Sequence, residues 1–197
     1  MTNLKFRVMV PLAIALISLT CSASLRAETE PRSKPLEVGD KADDFTLQSL
    51  GDEEFALFKH LKEGPVVLLV LRGYPGYQCP VCTRQAGDYL AHAEKFAELN
   101  AQVVMIYPGP SEELQARAEE FLGDRTMPKN FHFLIDPDYE FTNQYALRWD
   151  EPRETAYPST FVLDQEGLVK LAVISHSHGG RTKASDSLKA LGKEPKE

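Results

Sequence analysis

Apolar and polar positions change their period several times along the 197-residue chain. Lys5 and Arg7 precede an apolar run from Val8 to Leu19, and small residues follow up to Ala27. A basic start, a short apolar stretch and small residues make a cleavable export leader, too short for a comfortable membrane span. Cleavage is expected after Ala27, in preference to a lipid anchor on Cys21, because Ser18-Leu19-Thr20 is a poor lipoprotein signal. Residues 28–37, polar with Pro31 and Pro35, read as a flexible lead-in, and residues 193–197 as a charged tail. Between them, residues 38–192 read as one folded domain. Asp44-Phe45-Thr46-Leu47 and Glu54-Phe55-Ala56-Leu57, around Gly51-Asp52, predict a hairpin. Pro65 to Leu71 is an unbroken, β-branched apolar run, the pattern of a central strand covered on both faces.

From Pro80 the period lengthens. Cys82, Ala86, Tyr89, Ala93 and Phe96 recur at steps of three or four and predict one amphipathic helix to about Asn100. Pro80 suits its first turn, where a missing N–H costs nothing. Val103 to Tyr107 predicts a strand, and Ser111 a cap for a helix carrying Leu114, Ala118 and Phe121 on one face. A short strand at Phe133-Leu134-Ile135 and a helix over Pro137 to Ala146 follow. Ser159–Leu163 and Leu168–Ile174, joined by Asp164-Gln165-Glu166-Gly167, are forced into an antiparallel hairpin by so short a link. A last helix runs from about Ala184 to Leu191. The order is a hairpin, β-α-β-α-β-α, then β-β-α, which is an α/β sandwich around a mixed sheet, with no internal repeat.

Charge narrows the partners. Removing the leader takes away Lys5, Arg7 and Arg26, leaving 19 basic and 29 acidic residues, a net charge of −10. Neither nucleic acid nor an acidic membrane surface suits such a chain. Cys21 leaves with the leader, so Cys79 and Cys82 become the thiols of the mature chain. Cys79-Pro80-Val81-Cys82 lies between the predicted central strand and the helix that follows. A thiolate there faces unpaired backbone N–H groups and the positive end of the helix dipole, which lowers its pKa and makes it reactive. As a staple the pair is poor, because so small a loop removes little unfolded-state entropy.

Four segments carry a family resemblance: Asp44-Phe45-Thr46-Leu47; Arg72-Gly73 with Pro75 through Cys82; Leu134-Ile135-Asp136-Pro137-Asp138; and Ser159-Thr160-Phe161-Val162-Leu163-Asp164. Together they resemble the alkyl hydroperoxide reductase/thiol-specific antioxidant (peroxiredoxin-like, redoxin) family of the thioredoxin-fold superfamily, over about residues 38–192. The resemblance implies a single thioredoxin-like α/β domain, a mixed central sheet flanked by helices, with an N-terminal β-hairpin extension. Peroxiredoxins carry P-x-x-x-(T/S)-x-x-C. Pro75 and Cys82 fit its ends, but Cys79 holds the Thr/Ser position, Gln85 stands where Glu is frequent, and Pro158 stands where the late strand motif carries Arg. Tyr157-Pro158 instead looks like the cis-proline site of thioredoxins, and a cis bond is expected there.

These departures favour thiol–disulfide exchange by an exported, periplasmic or extracellular enzyme. Cys79, expected to be the more exposed, attacks a disulfide and Cys82 releases the product, with Pro158 beside them. The partners are a disulfide or dithiol protein and an electron donor or acceptor protein, with no cofactor. The alternative is a peroxidase in which Cys82 becomes a sulfenic acid, Cys79 resolves it, and a hydroperoxide is substrate. It lacks the family arginine. Pairing Leu163 with Leu168 puts Pro158 near Val173 and brings Ser175 to Arg181 close to the thiols, so Arg181 or Arg72 is a replacement cation, although both are expected to be water-exposed loop residues. Pro75 and Tyr157 are further supporting positions. A third alternative is a non-enzymatic zinc or copper(I) site of Cys79, Cys82, His176 and His178. Trp149 either covers the site or packs. His60, His92, His132, Asp136 and Asp164 have no expected chemical role.

Overall fold

The structure is a computed structural model that describes residues 30–192. The predicted leader, Cys21 and the charged tail lie outside the described residues. The elements are β1 (Thr46–Ser49), β2 (Glu54–Ala56), α1 (Leu57–Leu61), β3 (Val66–Val70), α2 (Pro80–Ala91), α3 (Ala93–Glu98), β4 (Gln102–Gly109), α4 (Ser111–Leu122), β5 (Phe131–Pro137), α5 (Glu140–Gln144), β6 (Ser159–Leu163), β7 (Val169–Ile174) and α6 (Ala184–Ala190). The strands form one sheet in the order β2-β1-β5-β4-β3-β6-β7. β3, β4 and β5 are parallel, while β6, β7 and the β1–β2 hairpin join antiparallel.

All five residues of β3 are buried, because the sheet is covered on both faces. Strand alternation sends Val66, Leu68 and Val70 to one core, shared with Leu57, Leu61, Phe141 and Tyr145 of the α1 and α5 side. Val67 and Leu69 face the other core, with Cys82, Ala86, Tyr89, Phe96, Leu114, Phe121 and Leu188. Each buried Val, Leu or Phe among these stabilises the fold by about 1.5–3 kcal/mol.

Several local expectations change. The single helix predicted from Pro80 is two. At its end the His92 Nδ1 lies 2.8 Å from the Asp88 carbonyl, while the His92 backbone N–H turns to Tyr89 instead. The ring thus takes the acceptor that helix continuation needs, and His92 leaves helical geometry at φ −109°, ψ 14°. Leu57, read as strand, opens the short helix α1. The helix predicted over Pro137 to Ala146 keeps only Glu140–Gln144, because Asp138, Tyr139 and Ala146 have positive φ. Buried Asp136 accepts the Phe141 and Thr142 N–H groups there, and burial raises its pKa to about 6. Ser111 does not cap α4: it is the first helical residue, and its N–H donates to Asp138.

The topology sets the location of chemistry. β6 runs against β3, so Val70 pairs with Ser159, which pairs with Ile174 of β7. The exits of β3 and β7 and the entry to β6 therefore meet at one end of the sheet. Irregular pairing at Val162/Leu163 shifts the hairpin register, and Pro158 accepts from the Ser175 N–H rather than lying opposite Val173. Gly73 lets the β3 exit pass: φ is +74°, and a Cβ there would stand 1.9 Å from the Pro108 carbonyl oxygen.

Candidate active site

Cys79 is the N-cap of α2 and Pro80 its first residue, so the motif sits at the helix start as expected. The Cys79 Sγ accepts the Cys82 N–H at 3.4 Å. Cys82, one turn on, points into the core and its Sγ accepts the Arg72 N–H at 3.4 Å. Both thiols are free. The expectation that Cys79 is exposed is corrected: Cys79 is 3 % and Cys82 1 % exposed, because the loop from β3 and the segment after β7 close over the helix start.

The two thiols influence each other's ionisation in opposite directions. A hydrogen bond from the Cys82 side chain, against the cost of burial and with help from the Cys82 and Val81 N–H groups and Arg181, lowers Cys79 to about 5. The same hydrogen bond, then burial, pushes Cys82 well above the usual thiol range. The pair thus loses its first proton easily and keeps the second.

Two arginines flank Cys82. The Arg181 Nη2 is 3.7 Å from the Cys82 Sγ, while its Nε and Nη1 are buried with no hydrogen-bond partner. Arg72 is saturated. Its Nε donates to Glu154 at 2.6 Å, Nη1 to the Tyr77 hydroxyl at 2.5 Å and Nη2 to the Arg153 carbonyl at 2.9 Å. Burial opposes the Arg72 charge, but Glu154 and Tyr77 outweigh it and raise its pKa. Glu154 in turn lies 2.8 Å from the His178 Nε2. Neither arginine is a water-exposed loop residue: Arg72 is 2 % exposed, and Arg181 is half-buried against the thiols.

The remaining candidates scatter. The Tyr157–Pro158 bond is trans, which corrects the cis expectation: no cis bond occurs among the described residues. Pro158 is an ordinary strand-start proline whose carbonyl joins the β7 end, while the Tyr157 N–H donates to Leu147. Tyr157 stacks on Trp149 at 4.9 Å, with His176 against its edge and His178 against Trp149. Trp149 therefore packs in a ring cluster above Glu154. The expected metal set does not converge: His176 and His178 are held by rings and by Glu154, and no metal-binding group of His, Cys, Asp or Glu occurs among the described residues. Pro75 lines a cavity of about 400 Å³ with Tyr74, Leu114 and Tyr139, whose walls include neither cysteine.

With this geometry in view, residues 38–172 match the AhpC/TSA family. The chain belongs to that family. It is an oxidoreductase acting on thiols. Among its family relatives it is 30% identical over 140 residues to a putative peroxiredoxin bcp of Helicobacter pylori, covering 68% of this chain and 86% of the relative. It is 28% identical over 142 residues to peroxiredoxin Bcp of Bacillus subtilis, covering 68% and 83%. The crystal structure of peroxidoxin BcpB from Mycobacterium tuberculosis superposes with a TM-score of 0.62 at 24% identity, covering 80% of this chain and 97% of that one. That likeness shows the thioredoxin-type fold which the four segments implied.

Sequence reasoning found Arg181 through the hairpin topology. It missed Tyr77, five positions from the Arg72 it holds, and Glu154 and Thr182, which lie far along the chain from their partners and carry no local signal.

Proposed function

We propose that this family member is a thiol peroxidase in which Cys82 is the peroxidatic sulfur and Cys79 resolves it. One observation carries the proposal: a buried guanidinium, Arg181, with two unpartnered N–H-bearing nitrogens beside the Cys82 sulfur. Unsatisfied buried donors call for an acceptor, and a hydroperoxide oxygen is one. The loss of the family arginine at Pro158 is thereby offset from another element. The names of the relatives favour the same chemistry.

The Cys82 thiol passes its proton to the Cys79 thiolate as the Cys82 sulfur attacks the near peroxide oxygen. The O–O bond breaks, the S–O bond forms, the sulfur is oxidised by two electrons, and the leaving alkoxide or hydroxide takes a proton. Arg181 stabilises the charge that develops on the peroxide oxygens, the kind of contribution that preorganised donors make. Cys79 then attacks the sulfenic acid, forming the Cys79–Cys82 disulfide and water. A dithiol protein reductant restores both thiols by exchange. The leader pattern supports action after export, with the mature chain beginning at Glu28.

Trapping of the sulfenic acid decides. Reduced Cys79→Ser exposed to one equivalent of peroxide should yield a trappable sulfenic acid on Cys82, more slowly than the parent because the Cys79 thiolate that takes the Cys82 proton is gone, and Cys82→Ser none. The reverse pattern, with a stable mixed disulfide formed at Cys79 by Cys82→Ser and no sulfenic acid in either variant, would establish dithiol–disulfide exchange instead. That second reading has one observation in its favour, the low pKa of Cys79. Burial of both sulfurs bears on both readings alike, since a protein partner must reach Cys79 in either.

A further inference from the structure

The segment that carries Arg181 is laced to α2 residue by residue. Thr182 is its hub. The Gln85 Nε2 donates to both the carbonyl and the hydroxyl of Thr182, at 3.2 Å each. The Tyr89 hydroxyl lies 3.0 Å and the Thr160 hydroxyl 2.7 Å from the same Thr182 oxygen. Tyr89 also meets the Lys183 carbonyl and, at 2.7 Å, the Ser187 hydroxyl. Asp88 accepts the Ala184 N–H at 2.7 Å. Cys82, Gln85, Asp88 and Tyr89 are spaced at three or four residues and share one side of α2. Arg181, Thr182, Lys183 and Ala184 therefore run along the helix in step with Cys82, Gln85, Tyr89 and Asp88.

Thr182 has one hydroxyl proton and two lone pairs, and three neighbours use them all. Gln85, Thr160, Thr182 and Ser187 are buried, so the network is shielded from water and each bond holds its geometry. The loop before it is tied as well: the Ser175 hydroxyl donates to the Ser177 carbonyl at 2.9 Å and bonds Gly179. Among the described residues the Arg181 guanidinium has no carboxylate partner, and its Nε and Nη1 make no hydrogen bond. Its placement beside Cys82 comes from the backbone on which it sits.

We infer that Thr182, with Gln85 and Thr160, is a positioning set that holds Arg181 over the Cys82 sulfur. The inference rests on the peroxidase reading of that site. It also gives Gln85 a role that a glutamate could not fill, because an ionised carboxylate has no proton to donate to the Thr182 carbonyl.

The test compares Arg181→Gln, Thr182→Val, Thr182→Ser and Gln85→Glu in the full chain. Three quantities are read: the pH midpoint of thiolate absorbance, the second-order rate of sulfenic acid formation with hydrogen peroxide, and the melting temperature. Thr182→Val should raise the thiolate midpoint and slow the peroxide step on the order of tenfold, and Gln85→Glu should do the same. Thr182→Ser keeps the hydroxyl and should restore both, whatever its melting temperature. A structural role alone would move melting and leave the midpoint in place. Parental midpoint and rate in Thr182→Val, alongside large losses in Arg181→Gln, would overturn the positioning role and leave the peroxidase reading intact. Parental behaviour in Arg181→Gln would overturn the role of Arg181 itself. If Thr182→Val does not fold, Thr160→Val removes one partner only, and parental values in that variant overturn the inference equally.

Discussion

Arg72 and Arg181 approach the same sulfur from two sides, and they differ in what surrounds them. Arg72 spends every guanidinium nitrogen on protein: Glu154, Tyr77 and the Arg153 carbonyl. Arg181 spends one on sulfur and none of the others. A buried ion pair with satisfied hydrogen bonds holds a shape, here the junction between the β3 exit and the loop 148–157. A buried cation with donors to spare is held ready for something not yet bound. Both residues touch the Cys82 sulfur, Arg72 through its backbone N–H and Arg181 through its guanidinium, and it is the unmet hydrogen-bonding capacity of the second that separates a structural arginine from a reactive one.

The comparison can be broken most severely at the sulfur both arginines flank. Cys82→Ser should abolish peroxide consumption altogether, measured as loss of hydrogen peroxide under reductant. Arg181→Gln comes next, with an expected fall of about 10²–10³-fold in the rate of sulfenic acid formation, the usual loss for one preorganised donor. A loss of similar size from Arg72→Gln would erase the distinction drawn between the two. Arg72→Gln should instead act on stability, by about 1–3 kcal/mol in denaturant unfolding, because it removes one of the two partners of Glu154 and leaves only His178. A smaller and graded effect concerns pH. With the first thiol proton leaving at about 5, the reactive thiolate fraction increases as pH rises through that value. The rate of alkylation by iodoacetamide should therefore climb between roughly pH 4 and 6 and then level off. In Arg181→Gln the climb should move to higher pH, since a cation favouring the charged form has been removed, whereas Arg72→Gln should leave it nearer the parent position.

How much of this was legible in advance depends on the range of the interaction. The central strand at Val66–Val70 and the helix start at Pro80 were readable because burial period and a proline at the first turn are local signals. The break at His92 was not, since it turns on one ring nitrogen reaching the Asp88 carbonyl. Pro158 was read as a cis proline from resemblance, whereas the bond found there is trans and the Pro158 carbonyl pairs with Ser175. The convergence of Arg181 on the thiols was reachable through the hairpin at 159–174, although the register assumed for it was two residues short. Glu154 and Thr182 had no sequence signal: their partners Arg72 and Gln85 are separated from them by 82 and 97 positions.

The chain by itself determined that a dithiol stands at a helix N-terminus after a buried strand, because apolar period, proline placement and cysteine spacing act over a few residues. Only the tertiary structure decided which arginine is spent and which is free. That outcome depends on how many buried donors find acceptors once distant loops are packed together, and no stretch of sequence contains the answer.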